Sequence, residues 1–136
     1  MKFLVSLIAL LLLASPGLTQ IVVLDAKPTV KVESSKDLTK RDLLSNTDQG
    51  KYRVRIIKNG TRYLWASREN RELVHQLSGA FHLFVDSRGG GYVKVFDNTH
   101  LPESMREAGG RFQYMEHLTL WLGTITYWGT VDKFDP

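Results

Sequence analysis

The chain has 136 residues and a formal net charge of +4, with 18 lysines and arginines against 14 acidic residues. Its size predicts one domain rather than two, and so mild a basic excess does not indicate nucleic-acid binding. The sequence contains no cysteine, which excludes thiol catalysis. Small extracellular eukaryotic domains usually have disulfides, so their absence favours a bacterial secreted or periplasmic protein.

The first 19 residues have the layout of a secretory signal peptide. Lys2 precedes an unbroken apolar run from Phe3 to Leu13, and the small and helix-breaking residues ASPG follow. A membrane-spanning helix needs about 20 apolar residues, and this run is much shorter. We therefore predict a secreted or periplasmic protein without a membrane span after removal of residues 1–19.

Residues 20–50 differ in composition from the rest of the chain. Two short apolar patches, at 21–24 and 30–32, precede the polar segment ESSKDLTKRDLLSNTDQG. This pattern predicts a polar tether with room for one edge strand. A short helix around 36–44 is an alternative that its poor apolar spacing does not favour.

The segment YRVRIIKNGTRYLWA (52–66) predicts a β-hairpin. Asn59-Gly60 between two alternating runs is typical of a two-residue type I′ turn, whose central residues both need positive φ. This turn would place Val54 opposite Trp65. Since side chains alternate between faces along a strand, the hairpin should separate an apolar face from a cationic one. The predicted core face has Val54, Ile56, Tyr63 and Trp65, and the outer face has Arg53, Arg55 and Arg62 with Ile57 and Leu64 between them.

The remaining sequence, up to residue 136, continues the β pattern. Residues 67–79 fit a capped helix or a turn at 68–70 followed by a strand, and the β-like neighbours favour the turn and strand. AFHLFV and YVKVF predict a second hairpin across the glycine-rich DSRGGG, and Pro102 precedes one or two predicted helical turns. Residues 111–130 alternate again, with a bend at Gly123. Residues 51–136 therefore predict a mainly β domain, a small antiparallel sandwich or a partly open barrel with at most one or two short helices.

Few residues suggest catalysis or metal binding. The four histidines, at 75, 82, 100 and 117, lack the local spacing of zinc ligands, and no serine has the context of a nucleophile elbow. The glycine-rich loop lacks the Lys-Ser/Thr of a phosphate-binding loop. Asp86, Asp97 and Glu116 are acidic residues that could converge in a hydrolase. We predict no metal site and no cofactor.

The arginine-bearing hairpin is the best sequence-based candidate for binding. Arg53, Arg55, Arg62 and the following Arg68 would present guanidinium groups that suit carboxylate, sulfate or phosphate. A solvated strand face is the plainer interpretation of the same charges. We predict an exported, non-enzymatic binding module for an anionic cell-envelope polymer or a protein partner, with a small secreted hydrolase as the alternative. The oligomeric state is left open.

Two further features of the sequence have a functional interpretation that depends on their exposure or on the source cell. Trp65, Trp121 and Trp128 could line a carbohydrate groove, although such residues on short strands more often belong to the core. Asn59-Gly60-Thr61 is an N-glycosylation acceptor in a eukaryotic secreted chain. We therefore predict Asn59, exposed at the hairpin tip, as a glycosylation site if the source cell glycosylates.

Overall fold

The computed structural model of the protein describes residues 19–106 and 110–136. The predicted signal peptide, residues 1–19, lies outside this part of the chain except for Thr19. The strands are β1 (Gln20–Ser35), β2 (Thr39–Leu43), β3 (Val54–Asn59), β4 (Arg62–Trp65), β5 (Arg71–Ser78), β6 (Phe81–Asp86), β7 (Gly91–Asp97), β8 (Phe112–Thr119) and β9 (Gly123–Phe134). One short helix, α1 (Asn46–Lys51), precedes β3, and two 3-10 turns, Asn98–His100 and Glu103–Met105, lie between β7 and β8. Within the described residues, no helix has the length and apolar character needed to cross a membrane.

Eight of the strands close into an antiparallel barrel. Neighbours pair in sequence from β3 to β9, and β1 pairs with β3 on one side and with β9 on the other. The strand β2 pairs with residues 30–34 of β1 and lies outside the ring. The mainly β, antiparallel prediction with few helices is confirmed, and the barrel is closed rather than partly open.

The strand that closes the barrel is the segment predicted to be a tether. Residues 20–35 form the longest strand, and its apolar residues Val23, Leu24 and Ala26 are buried. The tether prediction is therefore wrong for this segment. The error arose because the sequence of β1 contains only short apolar patches, which do not indicate a long strand. In the structure, β1 nevertheless pairs with other strands along both of its edges. The alternative of a helix at 36–44 is also wrong, since residues 39–43 form β2.

A bulge in β1 determines which of its side chains face outward. The pairing of β1 with β9 shifts between Pro28 and Val30, and proline, which has no amide N–H to donate, is tolerated at such a bulge. Before the bulge, Ala26 and Pro28 are buried. After it, Val30 and Val32 line a groove on the outer surface of the barrel.

The first hairpin forms with a register different from the predicted one. Asn59 pairs with Arg62 and Ile56 with Trp65, so the turn residues are Gly60 and Thr61 rather than Asn59 and Gly60. Gly60 has φ +63°, and Thr61 is not among the described residues with positive φ. This is the glycine-first pattern of a type II′ turn. The pairing is shifted by two residues from the predicted register, and because side chains alternate with a period of two, the two faces keep their composition.

The core prediction for this hairpin is confirmed by the burial of its side chains. Val54, Ile56 and Trp65 are buried in the barrel interior, and Tyr63 packs against them. The other interior side chains of this core are Val23, Leu24, Ala26, Leu73, Phe84, Val93, Val95 and Tyr114. An eight-stranded barrel has an interior just wide enough for its side chains, so these residues largely fill it.

The later elements follow the predicted pattern. Glu69 and Asn70 have positive φ and precede β5, which confirms a turn and a strand for residues 67–79. The strands β6 and β7 form the second predicted hairpin. The helical turn predicted after Pro102 is the 3-10 turn Glu103–Met105, and residues 107–109 of the same segment lie outside the described part of the chain.

Candidate functional site

The arginines of the predicted binding face are paired with carboxylates. Arg53 donates from Nε to Asp25 Oδ1 at 2.5 Å and from Nη2 to Asp132 Oδ2 at 2.7 Å. Arg55 Nη2 is 3.3 Å from the other oxygen of Asp25. Asp25 lies on β1 and Asp132 on β9, so the barrel closure itself supplies the counter-charges.

The other two arginines lie elsewhere on the barrel. Arg62, beside the hairpin turn, donates to Glu72 Oε2 at 2.8 Å. Arg68, in the turn after β4, is directed inward and donates from Nε to Glu116 Oε1 at 2.8 Å. The four arginines therefore do not form one outer surface of free cations, because each donates to a carboxylate and Arg68 reaches to Glu116, which is buried in the barrel.

Asn59, the predicted glycosylation site, is the last residue of β3 rather than the apex of the turn. Its side-chain oxygen is buried and has no hydrogen-bond partner among the described residues. The amide is therefore less accessible than the sequence suggested, and its glycosylation stays a prediction.

Of the three carboxylates of the hydrolase alternative, two are paired with arginines and Asp97 lies far from Asp86. Asp86 accepts from Arg71 at 2.8 Å and Glu116 accepts from Arg68 at 2.8 Å. Gly91 begins β7 at the end nearest to Asp86, and Asp97 lies six residues further along this strand. At the rise of an extended strand, six residues span about 20 Å. The geometry does not bring the three residues into a common groove.

Glu116 is a buried charge in the middle of the barrel. Its side chain is fully buried, and Oε2 has no hydrogen-bond partner among the described residues. Desolvation raises the pKa of Glu116 to about 7, although the nearby Arg68 guanidinium opposes the shift. The carboxyl group therefore changes charge near neutral pH, inside the folded core.

Two histidines meet at the other end of the barrel. The rings of His75 and His82 are stacked with centroids 5.2 Å apart, and His75 Nε2 lies 2.9 Å from His82 Nδ1. Burial lowers the pKa of both. The described residues contain no group of three or more His, Cys, Asp or Glu side chains placed to hold a metal ion.

A groove on the outer surface of the barrel has a volume of about 520 Å³. Strand alternation places it outside, since Val93 and Val95 are buried in the core while Lys94 and Phe96 line the groove. We call it the outer groove. Its apolar lining residues are Val30, Val32, Ala80, Phe81, Phe96, Leu101, Met105 and Trp128, and its polar ones are Arg41, Lys94, Asp97, His100 and Gln113.

Cationic groups in the outer groove are not neutralised in the way the hairpin arginines are. Among the described residues, no carboxylate forms an ion pair with Arg41 or Lys94. The one carboxylate in the lining, Asp97, accepts from the hydroxyl and backbone N–H of Thr99 and from Arg111 at 2.9 Å, and these donors lower its pKa to about 2. The groove therefore combines an apolar wall with available positive charge.

Lys94 is held over the aromatic wall of the outer groove. Its Nζ lies 3.9 Å from the centroid of the Phe81 ring and 5.6 Å from that of Phe96. The Phe96 and Trp128 rings continue this wall with centroids 6.4 Å apart. A cation seated on aromatic faces is positioned to meet a negative group at the end of an apolar ligand.

The three tryptophans have three different environments. Trp65 is buried in the core, Trp128 is 40% exposed in the outer groove, and Trp121 is 103% exposed. They do not line one carbohydrate groove. Trp65 therefore fits the core interpretation, whereas Trp121 and Trp128 remain available to a ligand or partner.

The outer groove was not predicted from the sequence, although a signal for it was present. AFHLFV and YVKVF carry large apolar residues at both even and odd positions, which indicates strands covered on both faces. Val30 and Val32, which complete the apolar wall of the groove, belong to the segment that the sequence predicts to be a tether.

No protein-family model matches the chain, and comparison with curated proteins and with solved structures gives no match either.

Proposed function

We propose that the protein is a non-enzymatic binding module whose outer groove takes a small amphipathic anion, an apolar body that carries a carboxylate, sulfonate or phosphate. The observation that carries the proposal is the seating of Lys94 on the Phe81 and Phe96 rings inside a cavity of about 520 Å³. Ligand pockets of small molecules have volumes of about 300–1,000 Å³, mostly apolar walls and a few convergent polar groups. The outer groove has each of these properties.

This proposal keeps an anionic ligand but places it away from the arginine hairpin. Arg53 and Arg55 already share Asp25, so an incoming anion would have to displace an internal carboxylate. Lys94 has no such competitor among the described residues, and desolvation on ligand burial would strengthen its attraction for a negative group. That the module is exported to the periplasm or secreted is part of the same proposal and rests on residues 1–19 of the sequence.

A fluorescent amphipathic anion tests the proposal directly. We expect 8-anilinonaphthalene-1-sulfonate to bind the folded protein with saturable fluorescence enhancement. Lys94→Gln should weaken this binding about tenfold, the scale of one hydrogen bond to a charged group. Phe96→Ala should weaken it further by removing apolar wall. Titration of each variant, with near-UV circular dichroism to verify native packing, gives the comparison.

Two matched controls distinguish binding in the outer groove from binding elsewhere on the barrel. Lys58 also lies over an aromatic ring, with Nζ 5.2 Å from the Tyr63 centroid, and Lys58→Gln should leave binding unchanged. The uncharged N-phenyl-1-naphthylamine should bind the native protein and Lys94→Gln equally. Equal affinity of wild type, Lys94→Gln and Phe96→Ala for the sulfonate would overturn the proposal. If only a variant with Arg53, Arg55 and Arg62 all changed to alanine lost binding, the hairpin would be the binding site instead.

A further inference from the structure

The turn between β8 and β9 has an apolar apex. The backbone N–H of Leu120 donates to Gly123 O at 2.8 Å, and Thr119 pairs with Thr124, so Trp121 and Leu122 form the central residues of a closed, hydrogen-bonded turn. Trp121 is 103% and Leu122 87% exposed. Tight turns usually carry glycine, proline, asparagine, aspartate or serine at these positions, so this turn displays apolar side chains where polar ones are expected.

A fourth apolar side chain joins this turn from a neighbouring loop. Leu38, between β1 and β2, is 64% exposed and lines the same shallow cleft as Leu120 and Leu122. We call Leu38, Leu120, Trp121 and Leu122 the apolar tip. Single exposed apolar residues are ordinary on protein surfaces, but a contiguous group indicates a protein or membrane contact.

Positive charges flank the apolar tip on two sides. Lys36 lies in the β1–β2 loop that also carries Leu38, and it is exposed. On the other side, the β6–β7 loop is joined to Thr119 by hydrogen bonds from Thr119 Oγ1 to Gly89 O and from Thr119 N to Gly90 O. Arg88 in that loop is exposed. Neither cation forms an ion pair with a carboxylate of the described residues, although Asp37 is the sequence neighbour of Lys36.

We propose that the apolar tip inserts into the interfacial layer of an anionic lipid bilayer, with Lys36 and Arg88 on headgroup phosphates. Tryptophan favours the headgroup level of a bilayer, and surface binding of this kind combines buried apolar area with attraction of basic residues to anionic lipids. The turn that carries Trp121 and Leu122 is held by a backbone hydrogen bond from Leu120 N to Gly123 O, so it can enter a deformable phase with little further loss of chain entropy. A protein partner would instead need a preformed pocket for Trp121.

Vesicle binding tests this inference independently of the outer groove. We expect the protein to co-sediment with phosphatidylcholine vesicles that contain phosphatidylglycerol and to bind less to phosphatidylcholine alone. Tryptophan emission should shift to the blue on binding, because Trp121 is the most exposed of the three indoles. Trp121→Ser/Leu122→Ser should lower partition about tenfold or more, and Lys36→Ser/Arg88→Ser should remove the preference for the anionic lipid.

The opposite end of the barrel offers a matched control. Leu77 is 68% exposed near the β5–β6 turn, and Leu77→Ser should bind vesicles as the native protein does. Thermal unfolding checks that each variant folds, and the single Leu122→Ser variant replaces the double one if it does not. Absence of vesicle binding, or equal binding by the tip variants and Leu77→Ser, would overturn the inference. Concentration-dependent dimers that the tip variants lose, without vesicle binding, would make the tip a protein interface instead.

Discussion

Replacing Gly129 by alanine should lower the free energy of unfolding by about 3 kcal/mol, at the upper end of ordinary overpacking effects. A Cβ at this position would lie 2.1 Å from Lys27 O and 2.7 Å from Pro28 Cα. Both obstacles are backbone atoms, so no side-chain rotation can relieve the clash. Because Gly129 pairs with Pro28 at the junction of β1 and β9, the strain falls on the pairing that closes the barrel.

Urea denaturation measures this effect, and Gly50 provides the comparison. A Cβ on Gly50 would meet no atom within 4 Å, and Gly50 lies in α1. Gly50→Ala should therefore be neutral or slightly stabilising, since alanine favours helix more than glycine does. A Gly129→Ala protein as stable as Gly50→Ala would contradict the close approach of β1 and β9.

Glu116 should make the barrel less stable as the pH rises from about 4.5 to about 7. The pKa of its carboxyl is raised from 4.5 to about 7 by desolvation in the folded protein. Between these values the folded state binds the proton that the unfolded chain has lost, so stability falls with increasing pH. The full contribution is about 3 kcal/mol, since one pKa unit corresponds to about 1.4 kcal/mol.

The histidine pair changes the stability of the barrel with pH in the opposite direction, so its effect must be measured separately from that of Glu116. Burial lowers the pKa of His75 and His82 below 6.5, so the unfolded chain takes up protons first and stability falls as the pH drops below about 6.5. Glu116→Gln removes one titration and leaves the other. The difference in unfolding free energy between the native protein and Glu116→Gln, measured in urea at each pH, should decline from pH 4.5 to 7. A constant difference across that range would show that Glu116 titrates normally.

The sequence predicted the faces of the first hairpin better than its register. Asn59-Gly60 and Gly60-Thr61 are both acceptable turn pairs, and choosing between them changes the cross-strand pairing by two residues. The partner of Trp65 changes from Val54 to Ile56, but both are apolar residues of the same face. The hydrophobic pattern is therefore satisfied by either register and could not distinguish them.

The candidate site depended on contacts between distant parts of the chain. Asp25 and Asp132, which neutralise Arg53, are 28 and 79 residues away from it in sequence. Local sequence does not show the pairing of β1 with β3 and β9, and without it neither the carboxylate partners of Arg53 nor the place of Val30 in the outer groove can be predicted. Local alternation could identify which residues share a strand face, but only the closed barrel shows which charges remain available.

Barrel closure also determines the order in which the chain can fold. From β3 to β9, each strand pairs with the next strand in sequence, and all but the β7–β8 connection at residues 98–111 are short, so these hairpins can form locally. The last step joins Gln20–Ser35 to Gly123–Phe134, two segments that are far apart in sequence. Bringing them together costs the conformational entropy of closing a long loop, and it requires nearly the whole chain. Ring closure should therefore be the slow event, and a nascent chain that lacks β9 keeps both edges of its sheet unpaired.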